Sequence, residues 1–252
     1  MKSIGKIRLN ARHVLVKMWY SLTMRTRVSK HAPLQPETVV ETALEMLDDE
    51  GLESVTVRRL AAKLGVQAPA LYWHFKNKQD ILDEMAQAIL SSRPLADLDL
   101  PTDSGTWAEW LRQMAHALRE TLLSRREGAR VVAGAGFGRA RALAELTDRT
   151  IGVLHTAGFD TLSASLATTT IVAYTFGFAI EEQAEPPPDS RQALDFLATQ
   201  FPLLVDAVKG RETVTEVEQF DWGVQVIIQG LQVSRQDSSS TVRDAVGEGE
   251  RE

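Results

Sequence analysis

The 252-residue chain contains no cysteine, and this absence removes several classes of protein at once. It excludes a disulfide framework, thiolate metal sites and a cysteine nucleophile. Internal repeats are also missing, and no stretch shows the sustained alternation of apolar and polar residues that is typical of a half-buried strand. The apolar fraction of 44% and the charged fraction of 25% are those of an ordinary soluble globular protein.

Acidic residues are absent from positions 1–36, which hold eight lysines and arginines. The rest of the chain has 20 basic and 34 acidic residues, so the overall net charge is −6. Residues 1–35 are predicted to be a basic, disordered N-terminal extension; the alternative is that the true start is Met24. The partly apolar segment Ile4–Leu22 lacks an unbroken apolar run and a small-residue cleavage site, which argues against a secretory signal.

Charge is also absent from residues 161–180, a length close to that of a bilayer span. Seven of these twenty residues are serine or threonine. We therefore predict a buried helix of a soluble cytoplasmic protein, with no membrane contact.

Apolar residues recur at three- and four-residue steps along most of the chain, which predicts an all-α protein of about nine to ten helices. The first stripe, Val39, Val40, Ala43, Leu44 and Leu47, is followed by Gly51 as a helix stop. Further helices are predicted at about 105–124, 127–133, 138–157, 161–184, 190–209 and 214–234.

The predicted organisation has four parts, of which the first is the basic extension 1–35. Residues 36–92 form a helix-turn-helix DNA-binding domain, and 93–234 form a helical ligand-binding and dimerisation domain. Residues 91–104 connect the two as a linker. The polar residues 235–252 show no apolar stripe, so we expect a disordered tail.

Residues 56–74 carry the strongest local pattern, two short helices around a glycine turn. Thr56 is predicted to cap the first helix, Gly65 to end it, and Pro69 to lie in the first turn of the second. Asn77 is predicted to cap the following helix. Leu60, Leu64, Val66 and Leu71 are predicted to face inward. The residues left to face outward or along the groove are Gln67, Ala68, Ala70, Tyr72, Trp73 and His74. Two helices joined in this way place the second one in the major groove of DNA.

The segment Glu41–Leu82 resembles the DNA-binding domain of the tetracycline repressor (TetR) family. The run Ala-Leu-Tyr-Trp-His-Phe-Lys-Asn-Lys at 70–78 carries most of this resemblance. Weaker similarity continues through 122–131, 157–159 and 227–231, so the resemblance covers about 36–233. It implies a ligand-responsive repressor that binds a palindromic operator as a homodimer and is released by a small-molecule effector.

Carried over by position, the resemblance also implies which residues contact DNA. Arg58 matches a base-contacting arginine; the alternative is a surface salt bridge. Ala68 and Ala70 occupy base-reading positions, where they offer apolar contact to thymine methyl groups. Trp73 matches a backbone-contacting position; the alternative is packing against the next helix. The full set comprises Thr56, Val57, Arg58, Gln67, Ala68, Pro69, Ala70, Tyr72, Trp73, His74 and Lys78.

The resemblance implies that the helices at 161–184 and 214–234 pair with their symmetry mates as a four-helix bundle. The small residues Ala164, Ala167, Ala173 and Gly177 permit close approach there. The alternative is that both helices are only the core of one subunit.

An effector cavity between this bundle and the middle helices is implied as well. In tetracycline repressors the drug arrives with Mg²⁺, but the histidine that chelates the metal is matched here by Val132. The metal-linked threonine is matched by Ala135, two polar drug contacts by Pro94 and Met114, and an aromatic one by Leu118. Only the acidic position contributed by the partner is kept, at Glu181. We therefore expect no metal and a mainly apolar cavity.

The residues expected around that cavity are Met114, Leu118, Val132, Ala135, Phe137, Leu146, Thr150, Leu154 and Glu181. If they form an ordinary packed core instead, the protein is a ligand-independent regulator or an activator.

Patterns that indicate enzymes are not found. There is no His-Glu-x-x-His metal motif and no nucleophile elbow. The glycine string at 134–138 follows a helix and not a strand, so it predicts a hinge and not a phosphate loop. We expect neither catalysis nor a cofactor.

Overall fold

The computed structural model describes residues 34–101, 103–135, 141–184, 197–198 and 200–249, with side chains described as far as residue 235. The chain divides into two units, Met1–Gln35 and Pro36–Glu252. Of the predicted basic extension 1–35, only residues 34 and 35 are among the described residues. The described stretches contain ten α-helices and no strand, which confirms the all-α prediction. The helices are α1 Pro36–Glu50, α2 Val57–Leu64, α3 Ala68–Tyr72, α4 Lys78–Leu90, α5 Trp107–Leu123, α6 Gly128–Ala133, α7 Arg141–Thr156, α8 Thr161–Glu182, α9 Pro202–Arg211 and α10 Glu216–Gly249.

The local signals at the ends of the first four helices are confirmed. The Thr56 hydroxyl accepts a hydrogen bond from the Arg59 backbone N–H at 3.3 Å and so caps α2. Gly65 ends α2 with a left-handed backbone, φ 69°. The side-chain oxygen Oδ1 of Asn77 accepts a hydrogen bond from the Asp80 backbone N–H at 3.0 Å and so caps α4. These caps fix the start of each helix, and therefore which side chains face outward.

Helices α1 to α4 pack into a head around a small core. Helix α1 contacts α2 and α4, and α2 contacts α3. Leu60, Ala61, Leu71 and Phe75 are buried in this core. Leu64 and Val66, which were predicted to face inward, are half-buried.

The predicted linker at 91–104 is an ordered connection that lies on the body of the protein. Leu95 is buried, and its backbone N–H donates to the Thr121 hydroxyl at 3.2 Å. The Trp110 indole donates to the Asp99 carbonyl at 2.7 Å. These bonds satisfy the backbone of a segment that forms no long helix, and so hold it in place.

Helices α5, α7, α8 and α10 build the main core. Helix α8 contacts α5, α7 and α10. It is long and apolar enough to cross a membrane, a test that core helices of soluble proteins also pass. Seven of its residues are buried against its neighbours, as predicted for a core helix: Ala164, Ala167, Thr168, Ile171, Val172, Thr175 and Ala179.

The C-terminal part differs from the prediction. Helix α10 was expected to end near residue 234, before a disordered tail at 235–252, but it continues to Gly249. No proline and no glycine lies between residues 231 and 246, so nothing in the sequence stops the helix there. Only part of the helix predicted at 190–209 is described, and α9 begins at Pro202.

Two glycines of the helical body are predicted to respond to alanine in opposite directions. A Cβ on Gly128 would lie 2.4 Å from the Leu122 carbonyl oxygen, whereas one on Gly152 in α7 would meet no atom within 4 Å. Gly128→Ala is expected to destabilise the protein by about 1–3 kcal/mol, because backbone must move. Gly152→Ala is expected to stabilise it by about 0.5–1 kcal/mol, because alanine favours the helix.

Thermal unfolding at one fixed protein concentration measures both changes. Equal effects of the two substitutions would contradict the packing described around Gly128.

Candidate DNA-binding surface, dimer face and effector cavity

The outer side of the head exposes the residues predicted to contact DNA. Trp73 is 88% exposed and Tyr72 is 53% exposed, and His74 is exposed beside them. Trp73 therefore does not pack against α4, the alternative considered for it. Because large exposed aromatic groups are unfavourable in water, this cluster indicates a binding surface on the head.

Three basic residues of α2 differ in what they contact. Arg59 forms an ion pair with Glu50. Lys63 lies 3.5 Å from the Glu45 carboxylate and 3.8 Å from that of Asp49. Arg58 is exposed and forms no ion pair with any residue that the structure describes. The guanidinium of Arg58 is thus available for contact with a base, and the salt-bridge alternative is not realised among the described residues.

The predicted base-reading residues at the start of α3 differ in their exposure. Gln67 and Pro69 are exposed, while Ala68 and Ala70 are half-buried. Lys78 is exposed in the first turn of α4, where the backbone N–H groups favour an anion. Thr56 and Val57, at the start of α2, are half-buried. The whole predicted DNA set therefore lies on the segment of the head from Thr56 to Lys78, in α2, in α3, at the start of α4 and in the turns beside them.

Helices α8 and α10 share an exposed apolar face on the opposite part of the protein. On α8 it contains Leu162 and Leu166, with Ala173 and Gly177 further along. On α10 it contains Trp222, 71% exposed, and Val226. Ala164 and Ala167, also predicted to permit close helix approach, are instead buried inside the subunit. The two helices therefore form part of the subunit core and also leave an apolar face exposed. They are thus not only the core of one subunit, which was the alternative to a dimer bundle.

The predicted effector residues lie in the protein interior. Met114, Leu118, Val132, Leu146, Thr150 and Leu154 are all buried. The Thr150 hydroxyl donates to the Leu146 carbonyl within its own helix at 2.7 Å, so it has no free donor for a ligand. Ala135 is half-buried, and Phe137 lies outside the described residues.

An open cavity of about 990 Å³ lies beside this interior, between α8, α9 and α10. Among the described residues of the predicted set, Glu181 alone lines it. Its wall is less apolar than expected, because it combines the aromatic rings of Tyr174 and Phe178 with several charged side chains. The sequence did hold one signal: Tyr174 and Phe178 are bulky residues four positions apart in a helix otherwise rich in small ones.

A buried ion pair links the cavity wall to α5. Arg119 is buried, and its Nε and Nη2 donate to the two carboxylate oxygens of Glu182 at 2.9 and 2.5 Å. The same guanidinium lies 5.9 Å from the centre of the Phe178 ring and 5.4 Å from that of Phe220. A ligand that displaces Phe178 or Glu182 therefore acts directly on the helix that carries Met114 and Leu118.

A second polar contact joins α5 to α10. His116 Nε2 lies 2.8 Å from Asp221 Oδ1, and Arg112 Nη1 lies 3.4 Å from the same oxygen. The hydrogen bond with His116 lowers the pKa of Asp221, and Arg112 acts in the same direction. The contact therefore favours a charged carboxylate between the two helices.

The Mg²⁺ site implied by the resemblance does not fit these residues. Val132 is buried and offers no ligand atom, and Ala135 offers no side-chain oxygen. Among the described residues, no group of three or more His, Asp or Glu side chains is placed to hold a metal ion.

Two families match the chain. Residues 39–85 match the family described as "Bacterial regulatory proteins, tetR family". Residues 100–235 match the one described as "Tetracyclin repressor-like, C-terminal domain". The class A tetracycline repressor from transposon 1721 of Escherichia coli is 37% identical over 199 residues, which cover 79% of this chain and 90% of that protein.

Solved structures give the same result for the fold. BioQ with its natural double-stranded DNA operator has a TM-score of 0.58 and 30% identity, over 79% of this chain and 98% of that one. The Streptomyces coelicolor TetR family protein ActR in complex with (S)-DNPA has a TM-score of 0.66 and 28% identity. That match covers 81% of this chain and 99% of ActR.

We predict that a charge placed on the apolar face of α8 and α10 weakens the association of two subunits. Leu166→Arg places a cation on a residue that is 60% exposed in the single subunit. Association would bury two such charges without partners, so we expect the dimer to weaken by roughly 100-fold or more. Sedimentation over a range of concentrations measures this.

Leu100→Arg is the matched control, because Leu100 is 55% exposed and lies in the connection between α4 and α5. A Leu166→Arg protein that remains as dimeric as Leu100→Arg would contradict the assignment of this face.

Proposed function

Since the chain belongs to the TetR family of transcriptional regulators, we propose that it represses transcription by binding a palindromic operator as a homodimer. The observation that supports this most directly is the head, in which Arg58 is unpaired among the described residues while Trp73 and Tyr72 are exposed on the same motif. Occluding a promoter requires only binding, so repression needs no further activity. The function requires access to chromosomal DNA, and the proposed location is therefore the cytoplasm.

The proposed roles of the head residues follow from their chemistry. Arg58 reads a guanine, because its guanidinium can donate two parallel hydrogen bonds to guanine O6 and N7. Ala68 and Ala70 contact thymine methyl groups. Tyr72, Trp73, His74 and Lys78 contact the backbone and set the register of the head on the duplex.

The proposed effector is a small, largely apolar molecule that binds without a chelated metal. The aromatic rings of Tyr174 and Phe178 support an apolar body for this molecule, and the charged side chains of the same wall can bind a polar group at its edge. Val132 and Ala135 supply no side-chain atom that could coordinate a metal. We propose that this ligand enters the cavity between α8, α9 and α10, beside the interior residues Met114 and Leu118. Release from DNA then requires that the ligand bind the released state more tightly than the operator-bound state.

A second candidate is a regulator that responds to no ligand. It is favoured by the burial of the six residues Met114, Leu118, Val132, Leu146, Thr150 and Leu154, which form a packed core. In this case the cavity has no role in DNA binding, and operator affinity does not depend on substitutions in its wall.

Arg58 is expected to control operator specificity and not folding or dimerisation. For Arg58→Ala we expect the ratio of operator to random-duplex affinity to fall roughly 5- to 150-fold, from the loss of about 1–3 kcal/mol of base discrimination. Gel-shift titrations at one fixed salt concentration measure this ratio.

Arg58→Lys separates base reading from simple charge. Lysine keeps the charge but lacks the planar fork, so specificity should fall here too if Arg58 reads a base. Full specificity in Arg58→Lys, or unchanged operator binding in Arg58→Ala, would count against the assignment.

Tetracycline is expected not to be the effector. Titration with tetracycline, with and without Mg²⁺, should give no tight metal-dependent binding, because hard cations need oxygen ligands that Val132 and Ala135 do not supply. Nanomolar binding that requires Mg²⁺ would refute this part of the proposal.

A further inference from the structure

The side chain of Gln183, directly after the end of α8, joins three other points of the chain. Its Nε2 donates to the Arg125 carbonyl at 2.7 Å and to the Leu122 carbonyl at 3.3 Å. Its Oε1 accepts from the Ala129 backbone N–H at 3.1 Å. One amide group therefore holds the end of α5, the turn that follows and the start of α6.

The turn held by Gln183 in turn holds the end of α1. Arg125 Nη1 lies 2.5 Å from Asp48 Oδ2, and the Arg126 backbone N–H donates to Asp48 Oδ1 at 3.3 Å. Glu127 Oε1 accepts from the Leu52 backbone N–H at 3.1 Å. The turn thus fixes both the last turn of α1 and the residues that lead into α2.

The approach between this turn and the head is close. A Cβ on Gly51 would lie 2.7 Å from the Glu127 carboxylate, and Gly51 has a φ of 83°. From there, α2 is tied to α1 by the Arg59–Glu50 pair and by Lys63. A continuous set of polar contacts therefore runs from Gln183 to the first helix of the DNA-binding motif.

The other end of this set lies at the cavity. Gln183 follows Glu181 and Glu182, which both line the cavity, and Glu182 is held by the buried Arg119. A ligand in the cavity contacts the end of α8 directly. Any movement there must either move the turn at 124–127 or break the bonds of Gln183.

We propose that Gln183 is a positioning residue that couples the end of α8 to the orientation of the helix-turn-helix. This rests on the proposed function, in which that orientation determines operator binding. Both N–H donors of the Gln183 amide and its carbonyl oxygen are engaged at this junction, so the turn follows the end of α8 as one body. The structure thus provides a route between the cavity and the head that does not pass through the buried residues of α7.

The absence of cysteine provides a direct test. Ala62→Cys introduces a single thiol on an exposed position of α2, and a spin label there reports the distance between the two heads of a dimer without DNA. With Gln183→Ala in this background, we expect the dimer to persist and the distance distribution to widen about twofold or more, because the heads lose their positioning contact. Gln183→Glu should widen it at least as much, since a carboxylate cannot donate to the two carbonyls.

Two controls separate positioning from general weakening. Gln113→Ala removes an amide that bonds only to Glu109 of its own helix, at 2.8 Å. Trp110→Phe removes a tertiary hydrogen bond elsewhere on α5, from the indole to Asp99. Both should leave the width of the distribution unchanged, even where the thermal midpoint falls.

Operator affinity gives a second readout. If Gln183 and Asp48 act along one route, Gln183→Ala combined with Asp48→Ala should weaken operator binding about as much as the stronger single change. The effects of Gln113→Ala and Asp48→Ala should instead multiply.

An unchanged distance distribution in a dimeric Gln183→Ala protein overturns the proposal. If neither Gln183 variant folds, Asp48→Ala is measured at the far end of the route, and an unchanged distribution there overturns it equally. If the parent protein shows no operator preference, the proposed function fails. The distance measurement uses no DNA, so its result still decides the role of Gln183.

Discussion

A single helix-turn-helix reads only a few base pairs, so the molecule depends on the apolar contact that joins two copies. Two heads contact successive major grooves only when their separation matches about one turn of DNA, roughly 34–36 Å. The exposed apolar face of α8 and α10, which includes Leu166 and Trp222, is the surface that we propose sets this separation. The same helices pack against α5 within each subunit, so a change in the core is also a change at the dimer contact.

This double use of α8 explains why its end is so strongly held. Glu182 is fixed by a buried arginine, and Gln183 by three hydrogen bonds to the turn between α5 and α6. Helix α8 therefore lines the cavity, is bonded at its end to the turn that supports the head, and carries part of the proposed dimer face. Regulation by a ligand requires that the ligand bind two arrangements of these parts with different affinities. A shift at the end of α8 changes the position of all three parts.

The features that could be predicted from the sequence are those determined by a few neighbouring residues. Thr56, Gly65 and Asn77 each bond to backbone groups three or four residues away, and each caps or ends the helix that the sequence pattern predicted. The head and its outward residues follow from these caps. Leu64 and Val66 are half-buried, since the extent of burial depends on contacts that a local pattern does not specify. The same reasoning failed for the end of α10, where the sequence contains no stop signal.

The features that could not be predicted depend on contacts between distant parts of the chain. Gln183 bonds to residues 54 to 61 positions away, and nothing near it in the sequence indicates a junction. The cavity arises from where α9 lies relative to α8 and α10. The resemblance indicated interior positions, where residues such as Leu118 are buried, and among the described residues of its set Glu181 alone lines the cavity. The ordered connection around Leu95 likewise depends on Thr121 of α5, 26 positions away.

Selection of bound sequences from a pool of random duplexes tests the central claim most directly. A symmetric protein with two reading heads should enrich an inverted repeat whose half-sites lie one helical turn apart, or a small multiple of it, with two chains bound per duplex. Recovery of no inverted repeat, or binding of a single chain to an isolated half-site with equal affinity, would contradict the account.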